Sequence, residues 1–137
     1  MILYVEDNSD NLKLVSRVLT AYGFDIYGVA DGQAAFSFLQ EHTPDLILID
    51  INLPGIDGYT ITRQLRQMER FAHMPIIALT ANVMKADREK SVAAGCDGFI
   101  QKPIDIDILP EQIRSFLAKK QDPPTEKRTR IQQRTKG

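Results

Sequence analysis

Asp45-Leu46-Ile47-Leu48-Ile49-Asp50 sets four uninterrupted apolar residues between two aspartates. A run this short, rich in Ile and Leu, reads as a strand buried on both faces. It ends on a carboxylate, which is costly at the mouth of an apolar strand unless it is paired or faces solvent. Asp50 alone could simply open the following loop, Ile51-Asn52-Leu53-Pro54-Gly55, or cap a helix. Three other apolar runs end in a comparable way. Ile2 to Val5 is followed by Glu6-Asp7, Pro75 to Leu79 by Thr80, and Gly98 to Gln101 by Lys102-Pro103. Carried to one edge of one sheet, these would assemble three carboxylates, a hydroxyl and an ammonium. Clustered carboxylates repel, and either raise their pKa values or recruit a cation. All-oxygen ligands suit Mg²⁺ or Mn²⁺, and no His or Cys stands in these motifs for zinc. A Lys and a Thr hydroxyl opposite the metal would bind the remaining oxygens of a phosphoryl group. A carboxylate can itself be the acceptor, giving an aspartyl phosphate.

The intervening segments must supply the connections that bring these strand ends together. After Glu6-Asp7, any of Asn8, Ser9 or Asp10 can cap a helix in which Leu14, Val15, Val18, Leu19 and Tyr22 recur at helical spacing, with Gly23 at C′. Phe24 to Val29 is a weaker strand, interrupted by Asp25 and Gly28, which suits an edge. Asp31-Gly32 marks a turn; Ala34, Ala35, Phe38 and Leu39 form the next apolar stripe, and Thr43-Pro44 stops it. Asp57 or Gly58 opens a helix with Ile61, Leu65 and Met68 on one face and Arg63, Arg66, Glu69 and Arg70 on a solvated one. Ala86 to Ala94 is a short helix closed by Gly95. Leu109-Pro110 starts the last helix, which buries Ile113, Phe116 and Leu117. Five strands alternating with five helices predict an α/β, (βα)5 three-layer sandwich around a parallel five-stranded sheet. Right-handed crossovers put every strand's carboxyl end on one edge, where ligands of open α/β sheets bind at the switch in strand order.

At 137 residues, one domain and one core suffice. An apolar fraction of 43% is globular, and a net charge of −1 points the chain as a whole to neither nucleic acid nor membrane. The lone Cys96, in Ala93-Ala94-Gly95-Cys96-Asp97-Gly98, excludes an intrachain disulfide framework and reads as a small packed residue. There is no 18-residue apolar run, and Met1 to Glu6 is too short for a signal peptide, so the expected setting is cytoplasmic. Residues 1–120 are expected to form the folded unit. Residues 121–137 open on Gln121-Asp122-Pro123-Pro124, which breaks the helix, and carry five basic groups against two acidic ones, giving this segment +3 and the body −4. With only Ile131 to bury, it reads as a disordered basic tail.

The motifs Val5-Glu6-Asp7-Asn8, Leu48-Ile49-Asp50-Ile51-Asn52-Leu53-Pro54-Gly55-Ile56-Asp57-Gly58, Ile77-Ala78-Leu79-Thr80-Ala81 and Gly98-Phe99-Ile100-Gln101-Lys102-Pro103 together resemble the receiver domain of two-component response regulators, over residues 1 to about 119. The resemblance implies a flavodoxin-like sheet of order 2-1-3-4-5, an order for which a protein of this family is a standard example. It implies that Asp50 accepts phosphate from a sensor histidine kinase or a histidine phosphotransfer protein. Asp7 would ligate Mg²⁺ directly, Glu6 through water, and Asn52 by its backbone carbonyl. Thr80 would bind the phosphoryl group and move on activation. Lys102 would pair with phosphate, held by a cis bond to Pro103. Phe99 matches the family's switch aromatic; that position is often Tyr, and Phe99 lacks the hydroxyl. The implied protein is a phosphoacceptor that at most catalyses its own phosphotransfer and slow dephosphorylation. It would signal to a downstream protein through the last two helices and fifth strand, as a monomer or a weak phosphorylation-dependent dimer. The resemblance further implies a stand-alone regulator, similar to the DivK or chemotaxis type.

Competing readings fail on particular residues. A haloacid-dehalogenase-like phosphatase places its nucleophile after the first strand in an Asp-x-Asp motif, whereas Asp50-Ile51-Asn52 follows the third. A dinucleotide site needs glycines after the first strand, where Glu6-Asp7-Asn8-Ser9-Asp10 offers charge that would repel a pyrophosphate. No helix-turn-helix or other output domain is visible, so nucleic acid could be gripped only through the tail.

Overall fold

The computed structural model describes residues 1–81 and 84–121, except for the side chains of Lys120 and Gln121. The reading of residues 121–137 as a tail therefore lies almost wholly outside the described residues.

The apolar runs form a parallel sheet because each is too short and too β-branched to gain from helix, and each is followed by a helix that covers it. The strands are β1 (Ile2–Val5), β2 (Ile26–Val29), β3 (Leu46–Asp50), β4 (Ile76–Thr80) and β5 (Gly98–Gln101). The helices are α1 (Ser9–Ala21), α2 (Gly32–Leu39), α3 (Gly58–Arg66), α4 (Lys85–Ala94) and α5 (Leu109–Gln121). All neighbouring strands pair in parallel, in the order β2-β1-β3-β4-β5, as the resemblance implied. The central strands β1, β3 and β4 are buried at every position, whereas β2 is half-exposed at the edge. No helix among the described residues is long and apolar enough to cross a membrane.

The two sheet faces carry separate cores. On one, Val15 and Leu19 of α1 and Leu109 and Ile113 of α5 pack on Ile2, Tyr4, Leu46, Leu48, Ile77, Leu79 and Ile100. On the other, Ala35 and Leu39 of α2 and Ile61 and Leu65 of α3 pack on Leu3, Val5, Ile47, Ile49 and Ile76. Helix starts are set by short polar side chains. Asn8, Asp31 and Asp57 each accept the backbone N–H three residues on, at 2.9, 2.8 and 2.9 Å. Asp31 is thus a helix cap as well as a turn residue. Gly95 ends α4 with φ of +105°, a left-handed conformation that favours glycine.

Several side chains sit differently from their helical spacing. Leu14, Tyr22 and Met68 were expected on buried faces, yet all three are exposed. Leu14 instead borders a cleft of about 360 Å³, together with Asn11, Val15, Ala81, Lys102, Pro103 and Ile104. Tyr22 lies at the C-terminal end of α1, where the Arg114 guanidinium passes 5.9 Å from its ring. Met68 lies beyond the end of α3, where the chain has left helical spacing for a 3₁₀ turn over Glu69–Phe71. The solvated-face reading is corrected for Arg66, which is half-buried, whereas Arg70 is exposed as expected but also hydrogen-bonded. Arg66 donates to the carbonyls of Gly95 (2.8 Å), Phe71 (2.7 Å) and Ala72 (3.3 Å) and pairs with the Asp97 carboxylate at 2.7 Å. Arg70 lies over the Phe71 ring and donates to Leu39 O, His42 O and Thr43 Oγ1. Both guanidiniums close loops: Arg66 ties the turn at Phe71 and Ala72 to Gly95 and Asp97, and Arg70 reaches back to Leu39, His42 and Thr43. Cys96 is packed against the core beside Thr62 Oγ1, and burial pushes its thiol pKa up, away from nucleophilic use.

Candidate phosphoacceptor and metal site

Sheet register delivers the chemical groups to one edge. Val5 pairs with Ile49, so Glu6 comes level with Asp50. Asp50 pairs with Leu79, which leaves Thr80 one step further along β4. Backbone bonds continue past the strand ends: Glu6 N–H to Val29 O (2.9 Å), Ile51 N–H to Leu79 O (3.0 Å) and Lys102 N–H to Thr80 O (2.8 Å). The groups are thus held on rigid strand termini. Strand alternation then sorts them by face. Glu6 follows Tyr4, Asp50 follows Leu48 and Lys102 follows Ile100, all on the α1/α5 side. Thr80 follows Ala78 and Ile76 on the opposite side. Phe99, paired with Ala78, shares Thr80's face and is half-buried.

Asp50 is the centre of the cluster and is only 3% exposed. Its Oδ1 accepts the Asn52 N–H at 3.0 Å and its Oδ2 accepts Lys102 Nζ at 2.9 Å. Lys102 Nζ also lies 3.2 Å from Glu6 Oε1. Glu6, likewise buried, accepts the Asn8 N–H on Oε2 at 3.2 Å. Asp7 is exposed and closes the group: one carboxylate oxygen from each of Glu6, Asp7 and Asp50 lies within 4.8 Å of the others. Thr80 is buried beside this edge, whereas the Asn52 and Pro103 side chains are exposed. The Lys102–Pro103 peptide is cis.

The local sequence makes this approach possible at Gly58. A Cβ there would fall 2.6 Å from the Asp50 carbonyl oxygen and 2.9 Å from Ile51 Cα, both backbone atoms. Glycine lets the start of α3 close onto the end of β3, and Gly58 N–H bonds Ile51 O at 3.1 Å.

The electrostatics split the two buried carboxylates. Burial, then the hydrogen-bonded Asp50 carboxylate, push Glu6 above the usual glutamate value, with Asn8 N–H and Lys102 pulling the other way. Burial also pushes Asp50 up, but the hydrogen bonds from Glu6, Lys102 and Asn52 N–H outweigh it and hold Asp50 below its usual value. Burial pulls Lys102 down, but its bonds and charge contacts with Asp50 and Glu6 outweigh that and keep it protonated. The contacts that hold Asp50 below its usual value favour its carboxylate form, the form a carboxylate nucleophile uses.

The donors fit a small hard cation. They are all oxygen, and two are backed by the sheet while Asp7 opens to solvent, leaving room for the waters Mg²⁺ keeps. His42 is remote from them, stacked on Phe38 beyond the end of α2. The structure thus brings Glu6, Asp7, Asp50 and Lys102 into one cluster, with Asn52 touching it through its backbone and Thr80 alongside on the next strand. Phe99 lies deeper in the sheet, apart from the carboxylates.

A parallel α/β sheet carrying clustered acids, a strand-end Thr and a Lys on its carboxyl edge is the architecture of a receiver. The chain belongs to the response regulator receiver domain family, whose profile it matches over residues 2–114. It is a receiver domain of two-component signalling. Among curated relatives, the polar-differentiation response regulator DivK of Brucella ovis is 40% identical over 116 residues, spanning 85% of this chain and 94% of that protein. Among solved structures, the receiver domain of a sensor histidine kinase from Pseudomonas aeruginosa PAO1 is 37% identical with a TM-score of 0.78, covering 85% of this chain and 96% of that one. That structure has a magnesium ion coordinated in its active-site cleft. The chemotaxis response regulator CheY4 of Vibrio cholerae is 25% identical with a TM-score of 0.80, covering 84% and 96%.

Tyr4 was not singled out in the sequence as part of this site. It reads there as one more residue of an apolar strand, yet its hydroxyl reaches Glu6. The only sequence signal was its place two residues before Glu6, on the same face of the strand.

Proposed function

We propose that Asp50 is the phosphoacceptor of a Mg²⁺-dependent phosphotransfer from a sensor histidine kinase or a histidine phosphotransfer protein. The observation that carries this reading is Asp50 itself: buried at the centre of the cluster and fixed through both oxygens by Asn52 N–H and Lys102. In the step, an Asp50 oxygen forms a bond to phosphorus while the bond from phosphorus to the donor's imidazole nitrogen breaks. The pair of electrons leaves with the imidazole, and an aspartyl phosphate results. Glu6, Asp7, Asp50 and the Asn52 carbonyl would hold the cation. When bound, Mg²⁺ would neutralise charge on the phosphoryl oxygens. Lys102 would exchange its contact with the Asp50 carboxylate for one with the new phosphoryl group, and Thr80 would donate its hydroxyl to that group.

The output is a shift between two pre-existing states. Thr80 and Phe99 share one sheet face on adjacent strands, so a Thr80 drawn toward phosphate frees space for Phe99 to pack inward. That change would be read by a downstream protein on α4, β5 and α5, with the domain monomeric or weakly dimeric in the cytoplasm. The histidine-kinase receiver among the structural neighbours supports a second setting, in which the same Asp50 chemistry serves a relay inside or beside a kinase. Residues 1–120 are proposed to suffice for phosphorylation, and the basic segment beyond them to be dispensable.

The test is labelling with radioactive acetyl phosphate, with Mg²⁺ and with a chelator. Mg²⁺-dependent incorporation that hydroxylamine removes is the expected result, since hydroxylamine cleaves acyl phosphates. Incorporation that is equal with the chelator, or resistant to hydroxylamine, contradicts the reading.

A further inference from the structure

β1 is an aliphatic strand with one exception. Ile2, Leu3 and Val5 carry no polar side-chain atom, but Tyr4 carries a phenol and is fully buried. Its ring sits in the α1/α5 core, among the cluster that includes Val15, Leu48 and Leu79. A buried phenol hydroxyl is costly there without a partner. It has one: Tyr4 donates to Glu6 Oε1 at 3.0 Å. Strand alternation explains the contact, because residues two apart on a strand share a face. Glu6 is therefore gripped from behind by the core, from the side by Lys102 and from the loop by Asn8 N–H. Both carboxylate oxygens are engaged before any cation arrives.

We infer that Tyr4 is a positioning residue of the cation site, whose hydroxyl anchors the Glu6 carboxylate beside Asp7 and Asp50 and so tightens Mg²⁺ binding. Partners that orient a metal site's carboxylates from outside the ligand set are known to govern affinity in this way. The inference rests on the reading of Glu6, Asp7 and Asp50 as the Mg²⁺ site.

The experiment is calorimetric titration of Mg²⁺ into the wild type, Tyr4→Phe, Glu6→Gln and the double variant. Tyr4→Phe keeps the ring and removes only the hydroxyl. Its Kd should rise on the order of 10-fold. In the Glu6→Gln background the same change should add less than about 2-fold, because the anionic carboxylate it positions for the cation is already gone. A purely packing role for Tyr4 predicts an unchanged Kd, and that result overturns the inference, as does an equal rise in both backgrounds. Absence of Mg²⁺ binding by the wild type defeats the metal-site reading itself, so the two failures are distinguishable. A measurement on the wild type does not depend on whether the variant folds. With tyrosine labelled at the ring carbon bearing the hydroxyl, the Tyr4 carbon-13 resonance should shift along the Mg²⁺ titration with the calorimetric Kd. A resonance that stays fixed while Mg²⁺ binds overturns the inference.

Discussion

Asp7→Asn should stabilise the domain in chelator and destabilise it, relative to wild type, in Mg²⁺. One carboxylate oxygen each from Glu6, Asp7 and Asp50 lies within 4.8 Å of the others. Two unit charges at that separation repel by about 1 kcal/mol with the screening of bulk water, and by about 3.5 kcal/mol at an effective dielectric constant of about 20. Asp7 is exposed, so the lower figure applies, and salt reduces it further. Lys102 offsets charge on Asp50 and Glu6, which it touches at 2.9 and 3.2 Å, and makes no such contact with Asp7. Replacing Asp7 by its neutral isostere should therefore add about 1 kcal/mol to the metal-free fold, a rise of roughly 3–6 °C in Tm for a domain of this size. In Mg²⁺ the wild type gains RT ln(1 + [L]/Kd), about 2.7 kcal/mol at one hundred times Kd, and Asp7→Asn should lose most of that gain. The assay is a pair of thermal melts for each protein, in chelator and in saturating Mg²⁺, with the order of stability inverting between them. A metal-free Asp7→Asn less stable than wild type by more than about 1 kcal/mol would refute the repulsion argument. So would a Mg²⁺ gain as large as that of wild type.

Thr80→Ala should accept phosphate and yet fail to strengthen partner binding; equal enhancement in wild type and variant would break the proposed link from Thr80 to Phe99. In chelator, stability should fall as pH rises from the ordinary glutamate value of 4.5 through the higher folded value of Glu6, because a raised carboxyl pKa contributes stability only while the group stays protonated. Asp50 acts in the opposite sense, its contribution being lost as pH falls from 3.8 through its lower folded value, and denaturant melts of Glu6→Gln should show the neutral-side slope removed. Arg66→Ala, which loses bonds to Gly95, Phe71, Ala72 and Asp97, should cost about 2–3 kcal/mol in urea unfolding, and a loss below about 0.5 kcal/mol would show that Arg66 is indeed the surface residue its sequence context suggests.

The strand ends were legible because their signal is local. A short buried run flanked by turn residues can be little other than a parallel strand, and the residue that follows it must emerge at the sheet edge. That reasoning places Glu6, Asp7, Asp50, Thr80 and Lys102 at one edge from the sequence alone. Asn8, Ser9 and Asp10 can each cap α1 by residue type, and Asn8 does. Several of the departures involve partners distant in sequence. Arg66 looks solvated on a helical wheel, and only the fold brings the Gly95 carbonyl and the Asp97 carboxylate within its reach. Leu14 looks like core by spacing, but the chain at Lys102-Pro103-Ile104 leaves a cleft beside it. Tyr4 looks like any apolar strand residue, and its one polar atom gains meaning only from its distance to Glu6.

The claim at the centre of this account is that Asp50 carries the phosphoryl group. Reducing the phosphorylated protein with borotritide converts an aspartyl phosphate to labelled homoserine, which peptide sequencing then locates. The account predicts tritium at position 50, dependent on Mg²⁺ and absent from Asp50→Asn. Label at another residue, or wild-type incorporation into Asp50→Asn, would contradict it.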